Sequence, residues 1–296
     1  MKVTLRQLQV FEAVSTCGSI MKAAKSLGMS QGAASGSLKD LEIILQRPLF
    51  SHNQGRSVQI TEEGKRLRRL VKSIINQVDE LEGRNEDVVE GRLVVGATSM
   101  IAEVILPQLC VAFRRLNPKI EIEIRTLPSG MVAKTIERLE LETALVEHVA
   151  GSPQVYATEW RTDELWLVSA PDHPLASRTA LELSDLAGAS WCMREYLASS
   201  SVRLRILLHE TLGASLPVGI EATSNQAVRN LIIAGGGIGC LSRELVRDDV
   251  TDGRLVRLDV RDFKFTRALS LVRPKGVHRS RIAAAFDEFI LSQRDG

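Results

Sequence analysis

Long apolar runs, clustered cysteines and metal-ligand spacings are all missing from this sequence. No run approaches the roughly 18 apolar residues of a membrane span, and the first residues lack a secretory apolar stretch. The 4 cysteines lie far apart without a C-x-x-C pair, which excludes a zinc knuckle and a disulfide framework. The 5 histidines have no ligand spacing. These absences predict a cytoplasmic protein without membrane association, with reduced and mostly buried cysteines and without a bound metal.

Enzyme motifs are missing as well. There is no G-x-S-x-G elbow, so the scattered Ser, His and Asp residues give a hydrolase no specific support. The glycine-rich run at 235–239 follows a predicted helix and precedes a predicted strand, which is the reverse of the order in a dinucleotide-binding loop. We therefore predict a tight connection there, no cofactor, and a protein that is not an enzyme.

Positive charge is concentrated at the start of the chain. Hydrophobic residues make up 44% and charged residues 25% of the 296 residues, enough for two or three domains with buried cores. Residues 1–72 carry a surplus of seven positive charges, whereas the rest of the chain is acidic, since the net charge is only +2. This asymmetry is typical of a nucleic-acid-binding head on a neutral or acidic body.

Residues 1–60 have the pattern of a winged helix-turn-helix. Apolar residues recur at helical spacing up to Gly18, which is placed to end a first helix, and a second runs from the N-cap Ser19 to Gly28. A third begins after Ser30 and keeps one apolar face. Two short helices on a tight glycine turn are the helix-turn-helix signature. The alternation after Pro48 predicts a small hairpin, or wing.

The second helix of such a pair enters the major groove, where its N-terminal residues approach base edges. Gln31, which can pair with adenine, shares one polar face with Ser35 and Lys39, four and eight positions later. The predicted contacts to bases or phosphates are Lys22, Ser30, Gln31, Ser35, Ser37, Lys39 and, at the tip of the wing, Arg56. Gly32 and Gly36 each cost about 1 kcal/mol of helix propensity relative to alanine, which a close approach of DNA or of another helix would explain. The alternative is a merely solvated polar face.

A longer helix follows Thr61, its predicted N-cap, with Glu62 and Glu63 in the first turn as the helix dipole prefers. Its apolar residues form a two-heptad seam at Leu67, Val71, Ile74, Val78 and Leu81. The seam predicts that two chains pair through this helix, and packing against its own domain is the alternative. Residues 61–90 are thus expected to form a dimerising linker helix and, in the polar stretch 82–90, a hinge.

Residues 91–296 alternate predicted strands and helices. Strands are predicted at 93–97, 120–124, 143–146, 164–169, 217–221, 238–241 and 267–272. Helices are predicted at 101–116, 130–140, 200–212, 225–234, 242–249 and 279–292. This alternation predicts a mostly parallel α/β architecture.

Polar residues follow two of these strands. In α/β sheets, ligands bind beyond the carboxyl ends of strands, often at helix N-termini. Thr98 and Ser99 follow the first strand, and Thr223, Ser224 and Asn225 follow a later one. They are candidate ligand groups, with ordinary helix capping as the alternative.

Residues 5–64 resemble the DNA-binding head of LysR-type transcriptional regulators. The resemblance rests on Leu5-Arg6-Gln7-Leu8, Ala23-Ala24, Ser30-Gln31, Leu41-Glu42, Pro48-Leu49-Phe50 and Thr61-Glu62-Glu63-Gly64. It continues through Gly91-Arg92-Leu93-Val94-Val95-Gly96-Ala97 over nearly the whole chain. The family often has Pro, Arg and Arg where this chain has Gly32, Gly36 and His52, so we expect an atypical operator.

The resemblance implies an α/β protein with a winged helix-turn-helix head, a linker helix and a two-lobed, periplasmic-binding-protein-like effector domain. Lobe I would comprise about 91–161 and 266–296, and lobe II about 162–265. The implied partners are double-stranded promoter DNA, further copies of the chain in a dimer and then a tetramer, RNA polymerase and a small-molecule effector. Occupancy of the interlobe cleft would change how the paired heads sit on DNA.

The resemblance also places further polar residues in this cleft, namely Ser129, Glu147 and Arg194. Arg194 could bind a carboxylate or sulfate of the effector, or pair with Glu195. Glu147 disfavours a simple anion unless it is neutralised, so the charge of the effector stays open. The rival functions are a solute-binding module or small-molecule enzyme with a helical appendage, and a constitutive DNA-binding protein whose body only assembles oligomers.

Overall fold

The head of the protein is a helical unit with a small hairpin. The computed structural model describes residues 2–52, 58–82, 89, 91–147, 151–195, 199–213 and 216–294. The head contains α1 (Leu5–Cys17), α2 (Ile20–Ser26), α3 (Gln31–Leu45) and the antiparallel strands β1 (Phe50–His52) and β2 (Val58–Ile60). The predicted helix-turn-helix and wing are therefore confirmed, while Arg56 and the rest of the turn at 53–57 lie outside the described residues.

Local capping explains where the head helices begin and end. The hydroxyls of Ser19 and Ser30 accept from the backbone N–H groups of Lys22 and Ala33, so both predicted N-caps are confirmed. Gly18 has φ 60° and ends α1 in the left-handed region, where a side chain would be strained. These caps thus set where α1 ends and where α2 and α3 begin.

The linker helix α4 (Glu62–Leu81) is packed against the head. The Thr61 hydroxyl accepts from the backbone N–H of Gly64 at 3.0 Å, which confirms the predicted N-cap. Val71 is fully buried in the head core, and Leu67 and Ile74 pack against it. Three of the five residues of the predicted dimer seam are thus engaged within their own chain. Leu81, in contrast, is 86% exposed.

The effector domain is built on one nine-stranded sheet. Its strands are β3 (Gly91–Ala97), β4 (Ile120–Thr126), β5 (Thr143–Val146), β6 (Val155–Ser169), β7 (Trp191–Arg194), β8 (Val218–Ala222), β9 (Ile238–Ser242), β10 (Val256–Arg257) and β11 (Phe265–Pro274). Its helices are α5 (Leu106–Leu116), α6 (Ser129–Glu137), α7 (Ser199–Leu212), α8 (Asn225–Ile233), α9 (Arg243–Thr251) and α10 (Arg281–Ser292), with a π-helical turn at Ile101–Ile105 before α5. The predicted alternation is confirmed, and β7 and β10 are additional.

Two long antiparallel strands correct the prediction of a mostly parallel sheet. β3, β4 and β5 pair in parallel, as do β7, β8 and β9. Between these sets β6 and β11 run antiparallel from Phe265 opposite Leu165 to Pro274 opposite Val155, with a bulge between Leu269 and Ser270. The local α/β pattern cannot reveal this ladder because its partners lie about a hundred residues apart.

The crossing strands divide the domain into two lobes with separate cores. Trp160 and Leu269 lie in a core with α5 and α10, whereas Leu165 and Phe265 lie in a core with α7. The glycine run at 235–239 connects α8 to β9, as predicted. Gly237 has φ 135°, and a Cβ there would lie 2.2 Å from the backbone oxygen of Ser190, so no side chain fits.

The linker helix also contacts the effector domain. Arg68 is 6% exposed and donates to the two carboxylate oxygens of Glu12 in α1 at 3.0 Å each. The same guanidinium donates to the backbone oxygen of Arg138, just after α6, at 2.9 Å. Asn76 donates to the backbone oxygen of His278 at 2.7 Å. One buried arginine therefore joins head, linker and effector domain.

Candidate functional site

The exposed face of α3 carries most of the predicted DNA contacts. Gln31, Ser35 and Lys39 are exposed at successive four-residue steps. Ser30 stands at the N-cap, where its hydroxyl accepts from Ala33 N–H at 3.2 Å, and Ser37 is half-buried. The helix therefore presents an exposed polar edge, in which the short side chains of Ser30 and Ser35 leave the backbone close to any surface that the helix meets.

Two glycines on α3 have no packing role among the residues that the structure describes. A Cβ at Gly32 or at Gly36 would meet no heavy atom within 4 Å among the described residues. Crowding by a neighbouring helix of the same chain therefore does not explain them. The open space around both glycines leaves room for a close approach from outside, as expected for a helix that enters a DNA groove.

Lys22 adds a positive charge beside this face. It is exposed in α2, and its backbone N–H donates to the hydroxyl of Ser19 at 3.5 Å. The N-termini of α2 and α3 each carry a serine cap, so their free N–H groups and helix dipoles favour phosphate oxygens. Backbone and side-chain donors for phosphates thus lie on the two helices of the motif.

In the effector domain, residues from both lobes meet at Ser99. The Ser99 hydroxyl lies 3.5 Å from Nη1 of Arg194, at the end of β7, and 3.5 Å from Nδ2 of Asn225, at the start of α8. Thr98 is 4% exposed, and its Oγ1 has no hydrogen-bond partner among the described residues. A buried unpaired hydroxyl beside three interlobe donors is the pattern of a polar ligand site.

Arg194 forms the salt bridge with Glu195 that the sequence offered as an alternative to effector binding. Its Nε and Nη2 each donate to the Glu195 carboxylate at 2.8 Å, and this guanidinium lowers the pKa of Glu195. Ser201, at the start of α7, donates to the backbone oxygen of Arg194 at 3.0 Å. The charge of Arg194 is thus compensated, while Nη1 still faces Ser99.

Glu147 faces an arginine that sequence reasoning missed, and it shares this arginine with Asp163. Nη1 of Arg267 lies 3.7 Å from the Glu147 carboxylate, and its Nε donates to Asp163 at 2.8 Å. Ser242 also donates to Asp163, at 2.7 Å. Burial raises the pKa of Asp163, and Arg267 and the Ser242 hydrogen bond oppose that shift. No local sequence signal marks this pairing, because Asp163 and Arg267 lie in strands that carry other charged residues as well.

The other predicted cleft residues do not join the Ser99 contacts. Ser224 is an N-cap whose hydroxyl accepts from Gln226 N–H at 3.2 Å, so the capping alternative is confirmed there. Ser129 is half-buried at the first position of α6, and Thr223 is exposed after β8. Within the described part of the chain, neither of their side chains hydrogen bonds to Ser99, Arg194 or Asn225.

The buried cysteines are held as thiols. Burial raises the pKa of Cys110 to about 12 and the pKa of Cys240 to about 12, and it also raises the pKa of Cys192. Cys17, in contrast, is exposed at the end of α1. The described ranges contain no cluster of His, Cys, Asp and Glu that could hold a metal, and no helix in them is long and apolar enough to cross a bilayer.

Comparison with known proteins matches both parts of the chain. Residues 5–65 match the bacterial regulatory helix-turn-helix protein, lysR family, and residues 86–295 match the LysR substrate binding domain. The uncharacterized HTH-type transcriptional regulator YeiE of Escherichia coli (strain K12) is 30% identical over 290 residues, which are 98% of this chain and 97% of that protein.

Two solved structures share the fold. A full-length OxyR variant from Pseudomonas aeruginosa has a TM-score of 0.76 at 17% identity, covering 97% of this chain and 94% of that chain. Full-length LysG from Corynebacterium glutamicum with bound effector Arg has a TM-score of 0.65 at 17% identity, covering 98% and 97%. The predicted winged head, linker and α/β effector domain are confirmed. The chain belongs to the LysR family and is a transcriptional regulator with a helix-turn-helix DNA-binding domain and a substrate-binding effector domain.

Proposed function

We propose that this regulator recognises its promoter through the exposed edge of α3. Gln31 contacts an adenine, and Ser30, Ser35 and Ser37 contact bases or phosphates. Lys22, Lys39 and Arg56 neutralise phosphates. The observation that carries the proposal is the polar face of α3, in which the side chains are exposed and the two glycines have open space around them.

The test is a selection of binding sites from random duplex DNA, with sequencing of the bound fraction. Gln31→Ala is compared with Gln154→Ala, an exposed glutamine in the effector domain. A lost bidentate contact costs about 1–3 kcal/mol, so we expect Gln31→Ala to weaken the selected site and relax its preference at one position in each half-site. An unchanged motif and affinity in Gln31→Ala would overturn the role of this face.

The effector is a compact polar molecule bound between the lobes. Ser99, Arg194 and Asn225 supply donors, and the buried Thr98 hydroxyl supplies a further group. Arg194 is paired with Glu195, and Glu147 shares Arg267 with Asp163, so charges of both signs lie near the site and suit a zwitterion or a molecule with one carboxylate. The effector Arg bound to LysG is of this size and polarity. Ser129, Glu147, Thr223 and Ser224 complete the rim of the site.

Chain pairing follows from the linker helix. Leu70 and Leu81 are 59% and 86% exposed on α4, so burial of these side chains against a second copy would stabilise a dimer. Pairs of dimers then form a tetramer whose heads contact repeated half-sites. The regulator acts in the cytoplasm, contacts RNA polymerase at the promoter and catalyses no reaction. The head, linker and effector domain are residues 1–60, 61–90 and 91–296, with the lobes divided near 161 and 266.

A further inference from the structure

The wing begins at a buried segment that one side chain of α3 holds by its backbone. Leu49, just before β1, and Phe50, the first residue of β1, are 1% and 5% exposed. Oε1 of Glu42 in α3 accepts from the backbone N–H of Leu49 at 2.7 Å and from that of Phe50 at 3.1 Å. Hydrogen bonds from backbone N–H groups to a carboxylate are charge-assisted and strong. We call Pro48, Leu49 and Phe50 the wing anchor.

The linker helix holds the wing anchor from the other side. The backbone N–H of Thr61 donates to the backbone oxygen of Leu49 at 2.9 Å, and the Thr61 hydroxyl donates to the backbone oxygen of Pro48 at 2.8 Å. A Cβ at Gly64 would lie 2.4 Å from the oxygen of Leu49, so a residue without a side chain lets α4 come this close. Hydrogen bonds therefore join the wing anchor to α3 on one side and to the start of α4 on the other.

Charge and positioning predict opposite effects of Glu42 on DNA binding. Glu42 is half-buried, and its carboxylate forms no salt bridge in the described part of the chain. A negative charge close to a DNA-binding surface repels phosphates, so its removal by itself should strengthen binding. If the carboxylate instead serves to position the wing anchor, its removal should weaken binding. The sign of the change therefore separates the two roles.

We infer that Glu42 is a positioning residue for DNA recognition, because it fixes the wing to α3 so that both elements meet the duplex as one preformed surface. The inference rests on the proposed role of α3 and the wing in DNA binding. A helix in the major groove and a wing on the neighbouring backbone can bind together only when the distance between them fits the duplex. Holding this distance before binding lowers the ordering cost of the complex. Without the Glu42 carboxylate, that cost is added on binding and the contact of the wing weakens.

The experiment measures Kd by fluorescence anisotropy for full-chain variants on the duplex that the wild-type chain selects from random DNA. Glu42→Ala removes both hydrogen bonds, and alanine is the best helix former. Glu42→Gln keeps an amide oxygen that can accept from both N–H groups and loses the charge. Asp40→Ala removes an exposed acid of the same helix and is the matched control for charge. We expect Glu42→Ala to raise Kd about tenfold, while Glu42→Gln and Asp40→Ala bind within about twofold of the wild-type chain or more tightly.

Arg56→Ala separates positioning of the wing from a general loss of folded heads. Arg56 is the phosphate contact that the sequence predicts for the wing. In a chain that already carries Arg56→Ala, Glu42→Ala should raise Kd less than about threefold, because both changes remove the same contact. A loss of folded heads would raise Kd by the same factor in both backgrounds. Glu42→Ala should also select the same bases as the wild-type chain, whereas Gln31→Ala relaxes one position.

Three results would overturn the inference and leave the proposed function intact. In the first, Glu42→Ala binds the selected duplex as tightly as the wild-type chain. In the second, Glu42→Ala raises Kd by the same factor with and without Arg56. In the third, Glu42→Gln weakens binding as much as Glu42→Ala, which would make the charge, and not the acceptor oxygen, the required feature. A wild-type chain that selects no duplex would overturn the proposed function, and the inference with it.

Discussion

Replacing Arg68 by methionine should loosen the contact between the head and the effector domain. The substitution removes a guanidinium that is 6% exposed and leaves the Glu12 carboxylate, whose side chain is 13% exposed, without its partner. Breaking a buried ion pair from one side costs about 3–5 kcal/mol, since the remaining charge stays desolvated. The loss also frees the backbone oxygen of Arg138. We therefore expect a large local destabilisation of α1, α4 and the end of α6.

Hydrogen exchange measured by mass spectrometry on the full chain reports this destabilisation locally, because opening free energies are resolved by segment. Arg66→Met is the matched control, since Arg66 lies on the same helix and its side chain is 79% exposed in a surface ion pair. Surface pairs contribute about 0–1 kcal/mol, so this control should change little. Arg68→Met combined with Glu12→Gln should recover part of the loss, because no buried charge then remains unpaired. Equal exchange in Arg68→Met and Arg66→Met, or no recovery in the double variant, would refute the reasoning.

Three further predictions concern DNA affinity, thiol reactivity and pH. Lys39→Gln should lower DNA affinity for all sequences alike and reduce the slope of log affinity against log salt by about 1, as measured by fluorescence anisotropy at several salt concentrations; an unchanged slope would remove Lys39 from the phosphate contacts. Iodoacetamide at pH 8 should label Cys17 in the native chain, because burial raises the pKa of the other three thiols and keeps them protonated; peptide mapping that finds a buried cysteine labelled as fast as Cys17 would contradict this. Burial raises the pKa of Asp163 above its ordinary value of 3.8, so the folded state holds this proton more tightly than the unfolded state. Its contribution to stability is therefore fully present below pH 3.8 and is lost as pH rises through the folded pKa. Urea unfolding should show the stability of the wild-type chain falling relative to that of Asp163→Asn as pH rises through that interval, because the asparagine does not titrate. A stability difference that stays constant with pH would show that the pKa is unshifted.

The elements that depend on nearby residues were predictable from the sequence. Ser19, Ser30 and Thr61 are caps whose hydrogen-bond partners lie three residues away, so a local pattern contains all the information needed. The first half of β6 was not predictable in the same way. Its exposed residues, such as Tyr156, break the alternation that marks a strand, and the strand forms because β11 pairs with it from far along the chain.

The candidate sites also differ in how far the sequence alone could predict them. The face of α3 follows from helical periodicity, so its residues could be placed from the sequence alone. The pairing of Arg267 with Glu147 and Asp163 could not, because it depends on how separate strands align in the sheet. The seam on α4 shows the limit of periodicity, since spacing identifies an apolar face without telling which surface covers it. Val71 was expected to pair with a second chain and is buried in its own head.

The crossing strands also fix the order in which the effector domain can be completed during synthesis. Lobe I begins with β3 but obtains Phe286 and Ile290 of its core from α10, the last helix. Lobe II lies between these segments and has its core residues, up to Phe265, before that helix is made. On the ribosome, lobe II can therefore fold first, while the apolar face of lobe I stays exposed until α10 has been made. During this interval the exposed apolar face of lobe I is open to chaperones and to aggregation.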